Sequence, residues 1–234
     1  MNKTPKKPTF ALTGVVGVFL LLAFIAFFGG RLVLKISGLT ELTGSLFFLS
    51  RMLFWAILVL LYFYAIRVEK KPFLLWPERP ANLLFYIGSV FALLLIVYIG
   101  SVVIIVILHG FVHQETSSKL LEYVRLFKHN MPLLIFTALT AGVTEELIFR
   151  GYIQPRIEAA SNSPALAIII TSFLFGILHS PYGTILQFIV PIFIGVIFSV
   201  FYSKYRNINI LILCHFLFDI LSLLQQTMHQ PKGG

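Results

Sequence analysis

The chain has little charge and almost no cysteine. Only 12% of its 234 residues are charged, nine are acidic, and the one cysteine is Cys214. A single cysteine excludes an internal disulfide framework. Hydrophobic residues make up 58% of the chain and the mean hydropathy is +0.93, whereas soluble domains are about 45 to 50% apolar. This composition excludes an ordinary soluble domain and indicates that lipid is the main solvent.

Long apolar runs divide the chain into candidate membrane spans. A helix needs about 20 apolar residues to cross the hydrocarbon core of a bilayer, and the breaks between runs are rich in Pro, Gly, Asn and charged residues. We therefore predict an all-α integral membrane protein, a bundle of about seven transmembrane helices. The predicted spans are residues 10–28, 46–66, 83–108, 132–149, 164–179, 185–202 and 208–224.

The predicted spans divide the chain into two tails and two groups of helices. The first run is longer than a signal-peptide core of 7 to 15 residues, so we expect a retained helix. Residues 109–131 mix charged and apolar side chains, which fits either a helix in the membrane interface or a connecting loop. The predicted segments are a basic cytoplasmic tail at 1–9, amino-terminal transmembrane helices and connecting segments at 10–130, a core with three polar motifs at 131–224 and a carboxyl-terminal tail at 225–234.

The formal net charge is +9, which raises the question of a nucleic-acid partner. Cytoplasmic loops of membrane proteins are normally enriched in Lys and Arg, which explains the excess without nucleic acid. The distribution of these residues favours a cytoplasmic amino terminus. We expect a multi-pass protein of a cell membrane, bacterial by its compact size and lysine-rich tail, with membrane lipids rather than nucleic acid around it.

Three of the nine acidic residues lie within predicted membrane helices: Glu145, Glu146 and Asp219. A charge at the centre of a membrane helix costs about 2.5 to 3.5 kcal/mol on the insertion scale. Such carboxylates are expected to face partners or water and to serve a function. The sequence therefore predicts a functional site inside the bundle.

The two adjacent glutamates must have different roles, because neighbouring helical residues point about 100° apart. Glu146 precedes Arg150 by four residues, the favourable order for an ion pair on one helix. Glu145 has no such partner and is free to act as a base. The alternative is a charge cluster that merely ends the helix.

Two histidines accompany these carboxylates in other spans. His179 follows Phe175 by four residues, and His215 precedes Asp219 by four, so each pair shares a helix face. Asp219 is predicted to accept a hydrogen bond from one nitrogen of His215 and to leave the other directed into the bundle. Taken singly, each motif also fits a packed histidine or a polar pair that joins helices.

Together, the three motifs resemble a known family. They occur in the order Glu145-Glu146-x-x-x-Arg150, Phe175-x-x-x-His179 and His215-x-x-x-Asp219. This pattern resembles the CAAX-processing and bacteriocin-processing (CPBP, Abi) family of intramembrane proteases, over about residues 131 to 224. The resemblance implies an endopeptidase that acts on a membrane-associated peptide or protein tail, with or without a lipid anchor.

The resemblance also implies roles for the residues. Glu145 and His179 would activate a water, and His215 would stabilise the oxyanion, with Glu146, Arg150 and Phe175 in support. Asp219 stands where other members have Asn, and an ionised aspartate cannot donate to an oxyanion. We predict instead that Asp219 holds His215 in a protonated, donating state.

Other readings remain open at this stage. Glu145, His179 and His215 are acceptable zinc ligands, but a mechanism without metal or cofactor is favoured, and no HExxH motif is present. A catalytically silent immunity or scaffold protein of the same fold is the main functional alternative, and a small transporter that relays protons is a third. We expect the site to open toward the cytoplasm.

Overall fold

The computed structural model of the protein describes residues 9–111 and 117–229. The predicted basic tail falls outside these ranges except for its last residue, as does the end of the predicted carboxyl-terminal tail. The described residues form helices and turns without any strand, and seven helices are long and apolar enough to cross a membrane. The predicted all-α bundle of seven spans is confirmed.

The helices follow the predicted spans in order. The first span comprises α1 (Thr9–Phe24), a π-helical turn (Ile25–Gly29) and α2 (Gly30–Ser37). The second is α3 (Gly44–Tyr64) with a π-helical turn (Ala65–Glu69), and the third is α4 (Leu83–Phe111). The fourth comprises α6 (Met131–Glu146), a π-helical turn (Leu147–Ile153) and α7 (Gln154–Ser161). The last three are α8 (Pro164–His179) with a 3₁₀ turn (Ser180–Tyr182), α9 (Leu186–Tyr205) and α10 (Ile208–His229).

Side-chain oxygens fix where several of these helices begin. A capping oxygen accepts a backbone N–H that has no partner within the first turn. This arrangement occurs at Thr43 before α3, Ser117 before the short helix α5 (Ser118–Lys128), Asn130 before α6 and Ser163 before α8. The short polar breaks of the sequence therefore also define the helix starts.

A short helix, α5 (Ser118–Lys128), precedes the fourth span. The sequence of residues 109–131 fits either a helix in the membrane interface or a connecting loop. Within that segment, Ser118–Lys128 form a helix. Its buried residues Val124 and Phe127 face the bundle, and Phe127 packs with Phe47 and Leu134. At its start, the Ser117 hydroxyl donates to the Tyr182 carbonyl at 2.5 Å, so α5 is tied to the end of α8.

The fourth span is longer than the sequence predicts. The prediction ended it at residue 149 because polar side chains follow, but the helix continues to Ser161. The structure buries Arg150 and Arg156 completely and pairs each with a glutamate. A π-helical turn precedes Pro155, which has no N–H to continue the regular pattern. Glu145 therefore lies in the middle of a long helix and not near its end.

The close approach of α6 and α10 positions the two glutamates opposite His215. A Cβ atom added to Gly142 would lie 3.0 Å from the carbonyl oxygen of Ile212 and 3.1 Å from the backbone nitrogen of Phe216. A side chain at Gly142 would therefore push the two helix backbones apart by a few tenths of an ångström. Gly176 plays the same part between α8 and α9, since its Cβ would lie 3.0 Å from the Phe188 carbonyl.

The outer faces of the bundle are apolar. Large side chains there are strongly exposed, among them Leu84 at 83% and Phe91 at 68% on α4. Contiguous exposure of this kind is costly in water but suits a lipid environment. The seven apolar helices and these faces indicate a multi-pass membrane protein.

Successive spans run in opposite directions, so the bundle has two ends with different connections. We call the end where α1 begins the tail end. The tail end also carries residues 70–82, 162–163 and 206–207. We call the other end the α5 end, because it carries α5 together with residues 38–43 and 183–185.

Candidate active site

His215 lies at the centre of a group of carboxylates contributed by α6 and α10. Its Nδ1 is 2.7 Å from Oε1 of Glu146, while its Nε2 is 3.9 Å from Oε2 of Glu145 and 3.7 Å from Oδ2 of Asp219. The short contact means that Nδ1–H donates to the Glu146 carboxylate. His215 is 6% exposed, so this arrangement is held inside the bundle.

Glu146 also forms the predicted ion pair with Arg150, at 2.9 Å, and both side chains are fully buried. Arg150 donates further to the Gly195 carbonyl at 3.4 Å. Its guanidinium lies 4.7 Å from the ring centre of Phe175 and 5.6 Å from that of Phe198. Arg150 therefore balances the buried charge of Glu146, which in turn holds His215.

The Phe175 ring connects the two histidines. Its centre is 4.6 Å from the His179 ring and 6.2 Å from the His215 ring. His179 places Nδ1 2.9 Å from the backbone carbonyl of Phe175. A carbonyl can only accept, so Nδ1 carries the proton and Nε2 of a neutral ring is left as an acceptor.

Two cavities, of about 210 Å³ and 520 Å³, adjoin at the site. Glu145 and His179 line both of them, and His215 and Asp219 line the larger one. Oε2 of Glu145 is buried and accepts no hydrogen bond from any described residue. Buried polar atoms are nearly always satisfied, and those that are not call for an explanation. A water bound there would satisfy this oxygen.

The hydrogen bond predicted between His215 and Asp219 is made by Glu146 instead. Nδ1 of His215 bonds to Glu146, and Nε2 lies 3.7 Å from Oδ2 of Asp219, too far for a hydrogen bond. The i,i+4 spacing on α10 favoured Asp219. The contact between Glu146 and His215 joins residues 69 positions apart, which no local spacing reveals.

Several cavity residues escaped the sequence analysis. Arg51 lies on α3 and Lys119 on α5, and with Tyr123 and Tyr182 they line the smaller cavity. Arg51 is an intramembrane charge within the predicted second span, so the rule that selected the carboxylates applies to it as well. Lys119 and the two tyrosines carry no comparable signal.

The cavities lie toward the α5 end of the bundle. Their lining combines α5, the end of the first span, the start of α3 and the 3₁₀ turn after α8. Helix α1 begins at the opposite end. The sequence predicts a cytoplasmic amino terminus and a site that opens toward the cytoplasm, and a bundle of seven alternating spans does not fit both expectations.

The arrangement does not fit the zinc site considered for Glu145, His179 and His215. Zinc requires several ligand atoms at about 2.0 to 2.2 Å from one point. In the two described ranges, no group of three or more His, Cys, Asp or Glu side chains is placed to hold a metal ion. We derive no catalytic step through a metal.

Comparison with known proteins supports the family resemblance. Residues 127–221 match the family described as type II CAAX prenyl endopeptidase Rce1-like. Comparisons with curated proteins and with solved structures give no match. The matched segment contains all three motifs and the four candidate catalytic residues Glu145, His179, His215 and Asp219. Residues 127–221 are thus similar to the Rce1-like CAAX prenyl endopeptidases, in agreement with the resemblance that the motifs carry.

Proposed function

We propose that the protein is an endopeptidase that hydrolyses a peptide bond in a membrane-associated peptide or protein tail by means of an activated water. The observation that carries this proposal is that the buried Oε2 of Glu145 accepts no hydrogen bond from any described residue and lies in a cavity wall that also contains His179. A general base must lie within hydrogen-bond reach of the water it deprotonates. The family match supports a protease of this class.

In the proposed reaction, a water binds between the Glu145 carboxylate and Nε2 of His179. Glu145 takes one proton as the water oxygen attacks the carbonyl carbon of the scissile bond. The same proton then passes to the leaving nitrogen as the carbon–nitrogen bond breaks. The products are a new carboxylic acid, which then releases the second water proton to solvent, and a new amine, and no covalent enzyme intermediate is needed.

His215 is proposed to stabilise the oxyanion of the tetrahedral intermediate. Nδ1–H is committed to Glu146, so the donor must be Nε2–H of a protonated ring. Three carboxylates with atoms within 4 Å of the ring attract its positive charge. A donor of this kind is worth about 3 to 4 kcal/mol of transition-state stabilisation in a site that excludes water.

The test is cleavage of defined tail peptides by the purified protein in detergent, followed by mass spectrometry. Prenylated and unlipidated versions of each peptide should both be offered. We expect products from the parent chain and from Glu158→Ala, a glutamate on α7 outside the site, but none from Glu145→Ala. Cleavage that persists in Glu145→Ala, or a parent chain that binds the tails without cutting them, would contradict the proposal. The latter result would favour the silent immunity or scaffold protein.

A further inference from the structure

Three cations lie together at the tail end of the bundle, where residues 70–82 pack against the end of α9. The backbone N–H of Arg79 donates to the Arg206 carbonyl at 2.9 Å, and its guanidinium donates to the Lys204 carbonyl at 3.4 Å. The Asn207 amide donates in turn to the Arg79 carbonyl at 3.1 Å. Arg79 and Lys204 are exposed and Arg206 is half-buried. We call Arg79, Lys204 and Arg206 the tail-end cations.

The tail-end cations have no close carboxylate partner. Among the residues that the structure describes, no acidic side chain forms an ion pair with any of them. The carboxylate of Glu78 accepts hydrogen bonds from the Tyr202 hydroxyl at 2.9 Å and from the Ile208 N–H at 2.6 Å. Glu158 on α7 interacts electrostatically with Arg206 from beyond ion-pair distance. The buried Nε of Arg206 donates to no described residue, so an anion would satisfy it.

Aromatic rings surround the tail-end cations. The Arg206 guanidinium lies 5.2 Å from the ring centre of Trp76, and the Lys204 amine lies 5.2 Å from that of Tyr205. Tyr205 also packs against Phe85 of α4, with the ring centres 5.2 Å apart. Trp and Tyr are enriched where membrane helices leave the hydrocarbon core. This combination of cations and rings is typical of the level at which lipid headgroups lie.

The start of α4 provides an apolar surface beside the tail-end cations. The helix begins four residues after Arg79, and its first turns expose Leu83, Leu84 and Ile87 strongly. The contact between Phe85 and Tyr205 joins these turns to the end of α9. A cationic cluster next to an exposed apolar helix matches the two parts of a phospholipid, its headgroup and its acyl chains.

We propose that Arg79, Lys204 and Arg206 bind the phosphate of an anionic phospholipid, with the acyl chains against the start of α4. A guanidinium offers several N–H donors to a phosphate, and a lysine adds a point charge. The bound lipid would link residues 70–82 to the end of α9. A ligand that binds only the folded state stabilises that state. This inference does not depend on the proposed peptide hydrolysis.

The experiment measures lipid binding to the purified full chain in neutral detergent, by native mass spectrometry and by thermal melts. Phosphatidylglycerol is compared with phosphatidylcholine of the same acyl chains, which carries a phosphate but no net charge. We expect phosphatidylglycerol to bind more tightly and to raise Tm more. Arg79→Gln, Lys204→Gln and Arg206→Gln should each weaken its binding about fivefold, and the triple variant about a hundredfold, the factor expected for each cation near an anionic lipid.

The chain offers a matched control in Arg67, an exposed cation near the same end but outside the cluster. Arg67→Gln should leave phosphatidylglycerol binding unchanged. Arg79→Lys and Arg206→Lys keep the charge and should keep most of the affinity, and melts without lipid check the fold of every variant. Glu158→Gln removes an acid that interacts with Arg206, so it should tighten the binding.

Equal binding of the two lipids by the parent chain would overturn the inference. An equal loss in Arg67→Gln and Arg206→Gln would also overturn it, because it would show a diffuse attraction to the basic end without a site. Inorganic phosphate at the same concentration separates a lipid headgroup from a free phosphate. We expect it not to raise Tm, since it lacks acyl chains to contact α4. Stabilisation equal to that by phosphatidylglycerol would contradict the assignment of a lipid.

Discussion

Two arginines are completely buried among the residues that the structure describes, and the contrast between their surroundings separates the site from the scaffold. Arg150 pairs with Glu146 on its own helix, and Glu146 also accepts a hydrogen bond from His215. Arg156 pairs with Glu69 of the second span at 2.6 Å. The first pair contacts His215, which lines a cavity. The second pair joins the fourth span to the second.

The two pairs also differ in how completely their hydrogen bonds are made. Among the residues described, Glu146 Oε2 and Arg150 Nε have no partner. Arg156 donates to both its glutamate and the carbonyls of Phe73 and Tyr152, and the second Glu69 oxygen accepts from the Tyr152 hydroxyl. Complete networks rigidify a fold, and unsatisfied buried atoms are more often found where chemistry occurs. We infer that the first pair serves the reaction and the second serves folding.

The largest expected effect is on kcat, and it separates the glutamate of the first pair from that of the second. Glu146→Gln should lower kcat by about 10² to 10⁴, as happens when the carboxylate that orients a catalytic histidine is replaced. Glu69→Gln is the matched control and should leave kcat near the parent value at temperatures where the variant is folded. The measurement is single-turnover cleavage together with a thermal melt. An equal loss of kcat in both variants would remove the distinction.

The second pair should show its effect in stability. Arg156→Met leaves Glu69 buried without its partner, which costs about 3 to 5 kcal/mol for a buried pair. Replacing both residues, as Arg156→Met with Glu69→Met, should recover much of that loss, because no unpaired charge remains. Denaturant unfolding in detergent measures both variants. If the double variant is no more stable than Arg156→Met, the pair itself is not the stabilising unit.

The smallest expected effect concerns Asp219, the third carboxylate near His215. It makes no hydrogen bond to the ring, so Asp219→Asn should change kcat by less than about tenfold, well below the effect of Glu146→Gln. The same assay compares the two variants directly. A loss as large as that of Glu146→Gln would assign the orienting role to Asp219, as the local spacing suggested.

Local spacing predicts what a single helix determines. The pairing of Glu146 with Arg150 and the shared face of Phe175 and His179 follow from the helical repeat, and the apolar runs predict the seven spans. Each of these features depends on residues within one or two turns. The sequence therefore indicates the motifs and the number of helices without any knowledge of how the helices pack.

Contacts between different helices could not be predicted from the sequence. The bond from His215 to Glu146 depends on the close approach at Gly142, and the ion pair between Arg156 and Glu69 crosses from the fourth span to the second. The same pairing explains why the fourth span continues past its predicted end: buried charges that look like a loop in sequence are neutralised by tertiary partners. Arg51 is different, because a charge inside a predicted span is a sequence signal for a functional site.

The central proposal is that Glu145 and His179 act on one water, and a double-mutant cycle tests it most directly. Single-turnover cleavage would be measured for Glu145→Gln, His179→Asn and the double variant, with thermal melts as a check on folding. Groups that act as one unit show strongly non-additive losses. We therefore expect the double variant to be no slower than the slower single variant. If the two losses multiply instead, the two side chains act independently and the shared water is contradicted.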